Sequence, residues 1–167
     1  MAPSPDLDAL VRTAQSGDTL AMNDLLDALA PYVRRICQPI ALEHADDAMQ
    51  ETLIVIFRQL ARLREHHALL AWVRTIATRE ALRVARRAAT EPPAGTVTDR
   101  AAAATDLSVE LWDQLARMQP AQRAVIVLRD LEGFDEHQVA QLLEIPAGTV
   151  KSRLHRARAR FRQTWTT

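Results

Sequence analysis

Cysteine is almost missing from this chain. Cys37 is the only one, so no disulfide can form within it and a four-cysteine zinc site is excluded; Cys37 itself reads as a small core residue. Glycine is scarce, with four residues in 167, and aromatic residues make up 4%. No segment approaches the roughly 18 uninterrupted apolar residues of a membrane span. The opening MAPSPDLDAL lacks the basic flank and apolar stretch of a secretory leader. A Gly-rich phosphate loop, an HExxH pair and a supported Cys-His arrangement are all missing. These gaps point to a soluble, cytoplasmic protein without membrane insertion, not an enzyme, with no cofactor and no metal.

What is present favours helix. Ala, Leu, Arg, Gln and Glu dominate, strong helix formers with few turn-making residues between them. The expected fold class is all-α. Asp6 is a plausible N-cap for a short helix closed near Gly17, with Leu7, Leu10 and Val11 as its stripe. Asp18 caps a second helix whose apolar residues Met22, Leu25, Leu26, Leu29, Val33 and Ile36 repeat at three and four. Pro31 is expected to kink it and Pro39 to stop it. A third helix is predicted from about Ala45 to Leu63 and a fourth from about Ala68 to Ala88. The stretch TEPPAGTVTDRAAAAT, residues 90–105, has helix breakers and no apolar face, so it reads as a flexible linker that could span roughly 50 Å. The expected organisation is therefore two small helical domains, 1–89 and 106–167, joined by 90–105.

The formal charge is zero, yet the charges come in blocks. Residues 1–57 carry three basic and nine acidic side chains, and 58–87 carry eight against two. Residues 88–145 carry four against ten, and from Pro146 onward there are six basic residues and no acidic one. Two basic patches suggest two separated contacts with a polyanion, while an acidic block can meet a basic protein surface.

The last block lies in FDEHQVAQLLEIPAGTVKSRLHRARARFR, which has the layout of a helix, a tight turn and a second helix. Asp135 with Gln138 forms a capping-box-like start, and Pro146 marks the entry to the second helix. Val150, Leu154, Ala157 and Phe161 turn one side of that helix inward. Lys151, Ser152, His155 and Arg156 then lie on the exposed arc as candidates for base edges, and Arg153, Arg158, Arg160 and Arg162 as phosphate contacts.

The stretch QPAQRAVIVLRDLEGFDEHQVAQLLEIPAGTVKSRLHRARARFR resembles region four of the extracytoplasmic-function (ECF) sigma factors of bacterial RNA polymerase. HADDAMQETLIVIFRQL looks like region 2.2 of the same family, and LLAWVRTIATREALRVARR like its regions 2.3 and 2.4. The resemblance implies a promoter-specificity subunit whose partners are core RNA polymerase and promoter DNA. Region two would bind polymerase and the −10 element, and region four, through Lys151, Ser152, Arg153, His155, Arg156 and Arg158, the −35 element. Family members are commonly held inactive by an anti-sigma factor, which would be a third partner.

On the third helix, Met49, Leu53, Ile56, Phe57 and Leu60 read as the core stripe. Asp47, Gln50, Glu51, Ile54 and Arg58 then face the other way, an acidic arc around a large apolar residue that suits a basic protein partner. Acidic residues also favour a helix N-terminus, which applies to Asp46 and Asp47. With the resemblance, Asp46, Asp47, Gln50, Glu51 and Ile54 become the expected polymerase contacts. On the fourth helix Val73, Ile76, Ala77 and Val84 pack inward, and Trp72 reads as core packing. Arg74, Arg79, Arg83, Arg86 and Arg87 are the expected −10 contacts. His66 and His67 read as exposed loop residues. Three positions depart from the family's pattern: Leu70 stands where an aromatic is frequent, Arg79 where Asn is frequent, and Glu144 where Gly is usual. An ordinary dimeric repressor is the rival reading, and the acidic arc argues against it.

Overall fold

The computed structural model describes residues 6–91 and 108–165. Among them every regular element is helical. The first, α1 (Leu7–Gln15), starts where the Asp6 carboxylate accepts a hydrogen bond from the Ala9 N–H at 3.2 Å. Asp18 repeats the device for α2 (Thr19–Ala41), accepting from the Ala21 N–H at 2.9 Å. Between them Gly17 takes a φ of 96°, open to glycine at little cost.

The predicted stop at Pro39 is overturned: α2 runs through both Pro31 and Pro39 to Ala41. Gln38, Pro39, Ile40 and Ala41 are all buried, so the packing of the last turn outweighs the one backbone hydrogen bond a proline withholds. Leu42 then reverses the chain with a φ of 56°. α3 (Ala45–Gln59) and α4 (Leu69–Thr90) follow, and both pack on α2. Leu25, Leu29, Val33, Ile40, Ile56, Leu60, Val73 and Val84 form the centre of this first domain. Each contributes on the order of 1.5–3 kcal/mol by leaving water.

The stripe expected on α3 is displaced. Ala45, Ala48, Thr52 and Ile56 are buried, Met49 and Leu53 are half-buried, and Phe57 is 58% exposed. Thr52 can sit inside because its hydroxyl donates to the Ala48 carbonyl at 2.7 Å. The buried line therefore steps by four through Ala48, Thr52, Ile56 and Leu60, and Phe57 lies about 100° round from it.

The second domain begins at α5 (Val109–Ala116), capped by Ser108. Next comes α6 (Pro120–Ile126), which continues through a wider helical turn over Val127–Leu131. α7 (Glu136–Leu143) opens with the predicted capping box: Asp135 accepts from the Gln138 N–H and Gln138 from the Asp135 N–H, both at 2.9 Å. Glu144 ends it in the left-handed conformation, φ 53° and ψ 46°. Pro146 stands one residue before α8 (Ala147–Trp165), and its carbonyl accepts from the Thr149 and Val150 N–H groups at 2.9 and 3.2 Å. Val150, Leu154 and Ala157 are buried against α6 and Val139 of α7, with Phe161 half-buried, so the helix-turn-helix forms as its spacing predicts. Leu107 and the expected linker from Pro92 onward lie outside the described residues.

One buried charged side chain lies on the seam between the two domains. Arg123, 6% exposed, donates from Nε to the Ile40 carbonyl at 2.8 Å. Its Nη1 donates to the carbonyls of Leu115 and Met118 at 3.1 and 3.3 Å. Burial lowers the Arg123 pKa to about 10. Val127 and Leu128 share a small cleft with Ile36, Ile40 and Thr78 along the same seam.

Two outcomes follow from this packing. Arg123→Ala is expected to cost about 2–4 kcal/mol, from unpaired carbonyls and a cavity, read as a lower urea midpoint. Cys37 is buried, its Sγ donates to the Ala77 carbonyl at 3.7 Å, and its pKa is pushed up to about 12 by burial. It is expected to resist thiol reagents at pH 8 in the folded protein and to react once the chain is unfolded in urea.

Candidate nucleic-acid and partner interfaces

Burying Val150, Leu154 and Ala157 leaves Lys151, Ser152, His155 and Arg156 exposed on the opposite arc of α8. The Ser152 hydroxyl donates to the Thr149 carbonyl at 3.1 Å. Lys151 faces Glu136 at 3.8 Å. His155 and Arg156 have no ion pair among the described residues. Arg153 differs from the rest of the set: it is half-buried, with Nη1 enclosed and without a hydrogen-bond partner among the described residues. Arg158 is clamped by Asp130, Nε to Oδ2 at 3.1 Å and Nη2 to Oδ1 at 2.6 Å. That hydrogen bonding raises the guanidinium pKa.

The five arginines expected together on α4 split into three environments. Arg83 and Arg87 both reach Glu51 on α3, Arg87 from Nη2 at 3.0 Å. Arg83 also donates from Nε to Glu80 at 2.9 Å. Burial pushes the Glu80 carboxyl above the ordinary carboxylate value, and Arg87 pulls it back in part. Arg86 is exposed and has no ion pair among the described residues. Arg74 and Arg79 face the second domain. Arg74 donates from Nε to the Tyr32 hydroxyl at 3.2 Å and lies 5.2 Å from the centre of the Phe134 ring. Arg79 donates to the Leu142 carbonyl at 3.0 Å and pairs with Glu144 at 3.1 Å.

On α3, Asp46, Asp47 and Gln50 are exposed at one end of the helix, and Asp46 pairs with Arg34 at 3.2 Å. Glu51 is drawn inward by its two arginines, its side chain 28% exposed. The structure thus brings a residue expected to bind a protein against two expected to bind DNA. Beyond Glu51, Ile54 and Phe57 present large apolar surface at 48% and 58% exposure. Phe57 was read as core, and it extends the apolar part of this face by one helical turn.

Sequence reasoning missed two further features. Nothing in the spacing marks Arg123 as buried, because its acceptors are backbone carbonyls that carry no sequence signal. His66 was read as exposed, yet its Nε2 lies 3.0 Å from Oε1 of Gln15, whose amide donates to the Leu60 and Leu63 carbonyls at 2.8 Å. His67 is exposed as expected, and no cluster of metal-ligating residues is found among the described residues. No helix among them is long and apolar enough to cross a membrane.

Comparison with known proteins agrees with this geometry. Residues 22–91 match the family described as Sigma-70 region 2, and residues 108–161 match Sigma-70, region 4. The ECF RNA polymerase sigma factor SigM of Mycobacterium tuberculosis is 34% identical over 153 residues, covering 87% of this chain and 78% of that protein. This chain belongs to the ECF sigma factors. The ECF RNA polymerase sigma-E factor of Haemophilus influenzae is 25% identical, with 90% of each chain covered. The fold also matches solved structures. CnrH in complex with the cytosolic domain of CnrY gives a TM-score of 0.60 at 21% identity, covering 96% of this chain and 97% of that one. The sigma factor RpoE in complex with the anti-sigma factor NepR, from Bartonella quintana, gives 0.59 at 21%, covering 87% and 96%. As a sigma factor, this protein acts with RNA polymerase in promoter recognition.

The Asp130 clamp gives a simple electrostatic expectation. Asp130→Asn releases Arg158 and should move elution from immobilised heparin to higher salt, while the unfolding free energy from urea titration changes by no more than an exposed ion pair allows, about 1 kcal/mol.

Proposed function

We propose that this sigma factor divides its work by domain: residues 1–89 bind core RNA polymerase and the −10 element, and residues 106–167 read the −35 element, with 90–105 joining them. The observation that carries the proposal is the exposed arc of α8, where Lys151, Ser152, His155 and Arg156 stand opposite the buried Val150, Leu154 and Ala157. Such a helix can enter a major groove, where a lysine or arginine reads guanine edges and a serine or histidine adds shorter contacts. Arg153 and Arg158 serve as phosphate contacts that fix the helix in register.

Asp46, Asp47, Gln50, Glu51 and Ile54 form the polymerase face, which Phe57 enlarges. Carboxylates surrounding exposed apolar side chains suit a basic helical surface, with charge steering the encounter and the apolar groups holding it. Arg74, Arg79, Arg83, Arg86 and Arg87 supply the −10 side, where Arg86 is the one with neither an ion pair nor a cross-domain contact among the described residues. The chain performs no chemistry of its own and works in the cytoplasm. An anti-sigma factor is a third partner, in keeping with the complex in which RpoE was solved.

The test uses purified chain, core polymerase and promoter fragments. Asp47→Ala and Gln50→Ala are expected to weaken binding to core polymerase at least tenfold with unchanged thermal midpoints. Arg156→Ala should leave core binding intact and cost about 1–3 kcal/mol of promoter affinity, with relaxed preference at one position of the upstream element. Tight dimeric binding to a palindrome without polymerase would overturn the proposal.

A further inference from the structure

We infer that Arg79 is a latch between the two domains, closing the free chain through Glu144 and the C-terminus of α7, and that this closure competes with promoter binding at the same side chain. The inference rests on the reading of Arg79 as a promoter contact. Three acceptors converge on its guanidinium from across the seam: the Leu142 carbonyl at 3.0 Å, the Gln141 carbonyl at 3.4 Å and the Glu144 carboxylate at 3.1 Å. The two carbonyls belong to the last turn of α7; the Gln141 carbonyl also accepts from the Glu144 N–H at 3.4 Å, so Arg79 supplements that bond at Gln141, and the negative end of the helix favours a cation. Glu144 reaches the same cation because it ends α7 in the left-handed region, φ 53°. A glycine there would adopt that conformation more easily but would bring no carboxylate.

The latch differs from the seam at Arg123. Arg123 is buried, whereas the Arg79 and Glu144 side chains are 41% and 70% exposed. Water and DNA can both reach Arg79, and a phosphate can replace the carboxylate and the carbonyls as its acceptor. Arg74, stacked on Phe134 beside it, is held by the same closure. Opening therefore frees Arg79 and leaves Arg74 with only its bond to the Tyr32 hydroxyl. Arg79 and Glu144 are also two of the three positions that depart from the family's pattern, and they meet each other.

The full-length free chain tests this by single-molecule energy transfer between dyes on cysteines placed at exposed Asn23 and His155, Cys37 being too buried to take a dye. Glu144→Gln is expected to raise the fraction of a second, open population about two- to fivefold, the range an exposed ion pair can supply. Arg79→Ala should raise it further, and Glu144→Gln on that background should add nothing, because the partner is already gone. With unlabelled chain and core polymerase, Glu144→Gln should form promoter complexes faster by a similar factor, while Arg79→Ala, the most open variant, forms them poorly. An open fraction identical in wild type and Glu144→Gln overturns the latch. A wild-type promoter complex from Arg79→Ala overturns the competition and, separately, the assignment of Arg79 to DNA.

Discussion

The structure depends on a guanidinium placed where two helix-end carbonyls and a turn carbonyl converge. Arg123 carries its charge into a buried seam with no carboxylate in hydrogen-bond contact, and the field of Glu43 offsets only part of the cost of burial. What offsets the cost is the nature of its acceptors. Ile40 lies in the last turn of α2, Leu115 in the last turn of α5, where its carbonyl also accepts from the Met118 N–H at 3.1 Å, and Met118 in the turn beyond. Two negative helix ends face one cation, and the planar fork of an arginine bonds three oxygens that a lysine could not span. Arg79 repeats the same chemistry at the end of α7, in a place that water can reach.

That pair of arginines sorts the charges of a neutral protein into buried and exchangeable ones. Arg123 is spent on the fold. Arg83 and Arg87 meet Glu51, Arg158 meets Asp130, and Lys151 faces Glu136, all on surfaces assigned to partners. Each of these pairs is exposed enough for an incoming phosphate or carboxylate to replace one member. At these pairs, binding a polyanion means exchanging internal acceptors for phosphates, whereas Arg86 and Arg156, which have no ion pair among the described residues, add contacts of their own.

Much of this was legible in the sequence. The caps at Asp6, Asp18 and Asp135 and the buried stripe of α8 follow from local rules, since each involves residues three or four apart. The exposed arc on the other side of α8 follows from that stripe. What escaped was decided between elements. Pro39 stayed helical because four consecutive residues around it are buried. Phe57 left the core because Ala45, Ala48 and Thr52 set the line along which α3 packs. Arg123 and Arg79 found backbone acceptors in the opposite domain, and no spacing within a single helix announces that.

The most direct measurement is in vitro transcription by core RNA polymerase, with and without this chain, on a library of randomised DNA fragments, followed by mapping of the starts. The account predicts starts that require the chain and share two short elements at a fixed separation, one for each domain. Starts that are independent of the chain, or that share only one element, would contradict it.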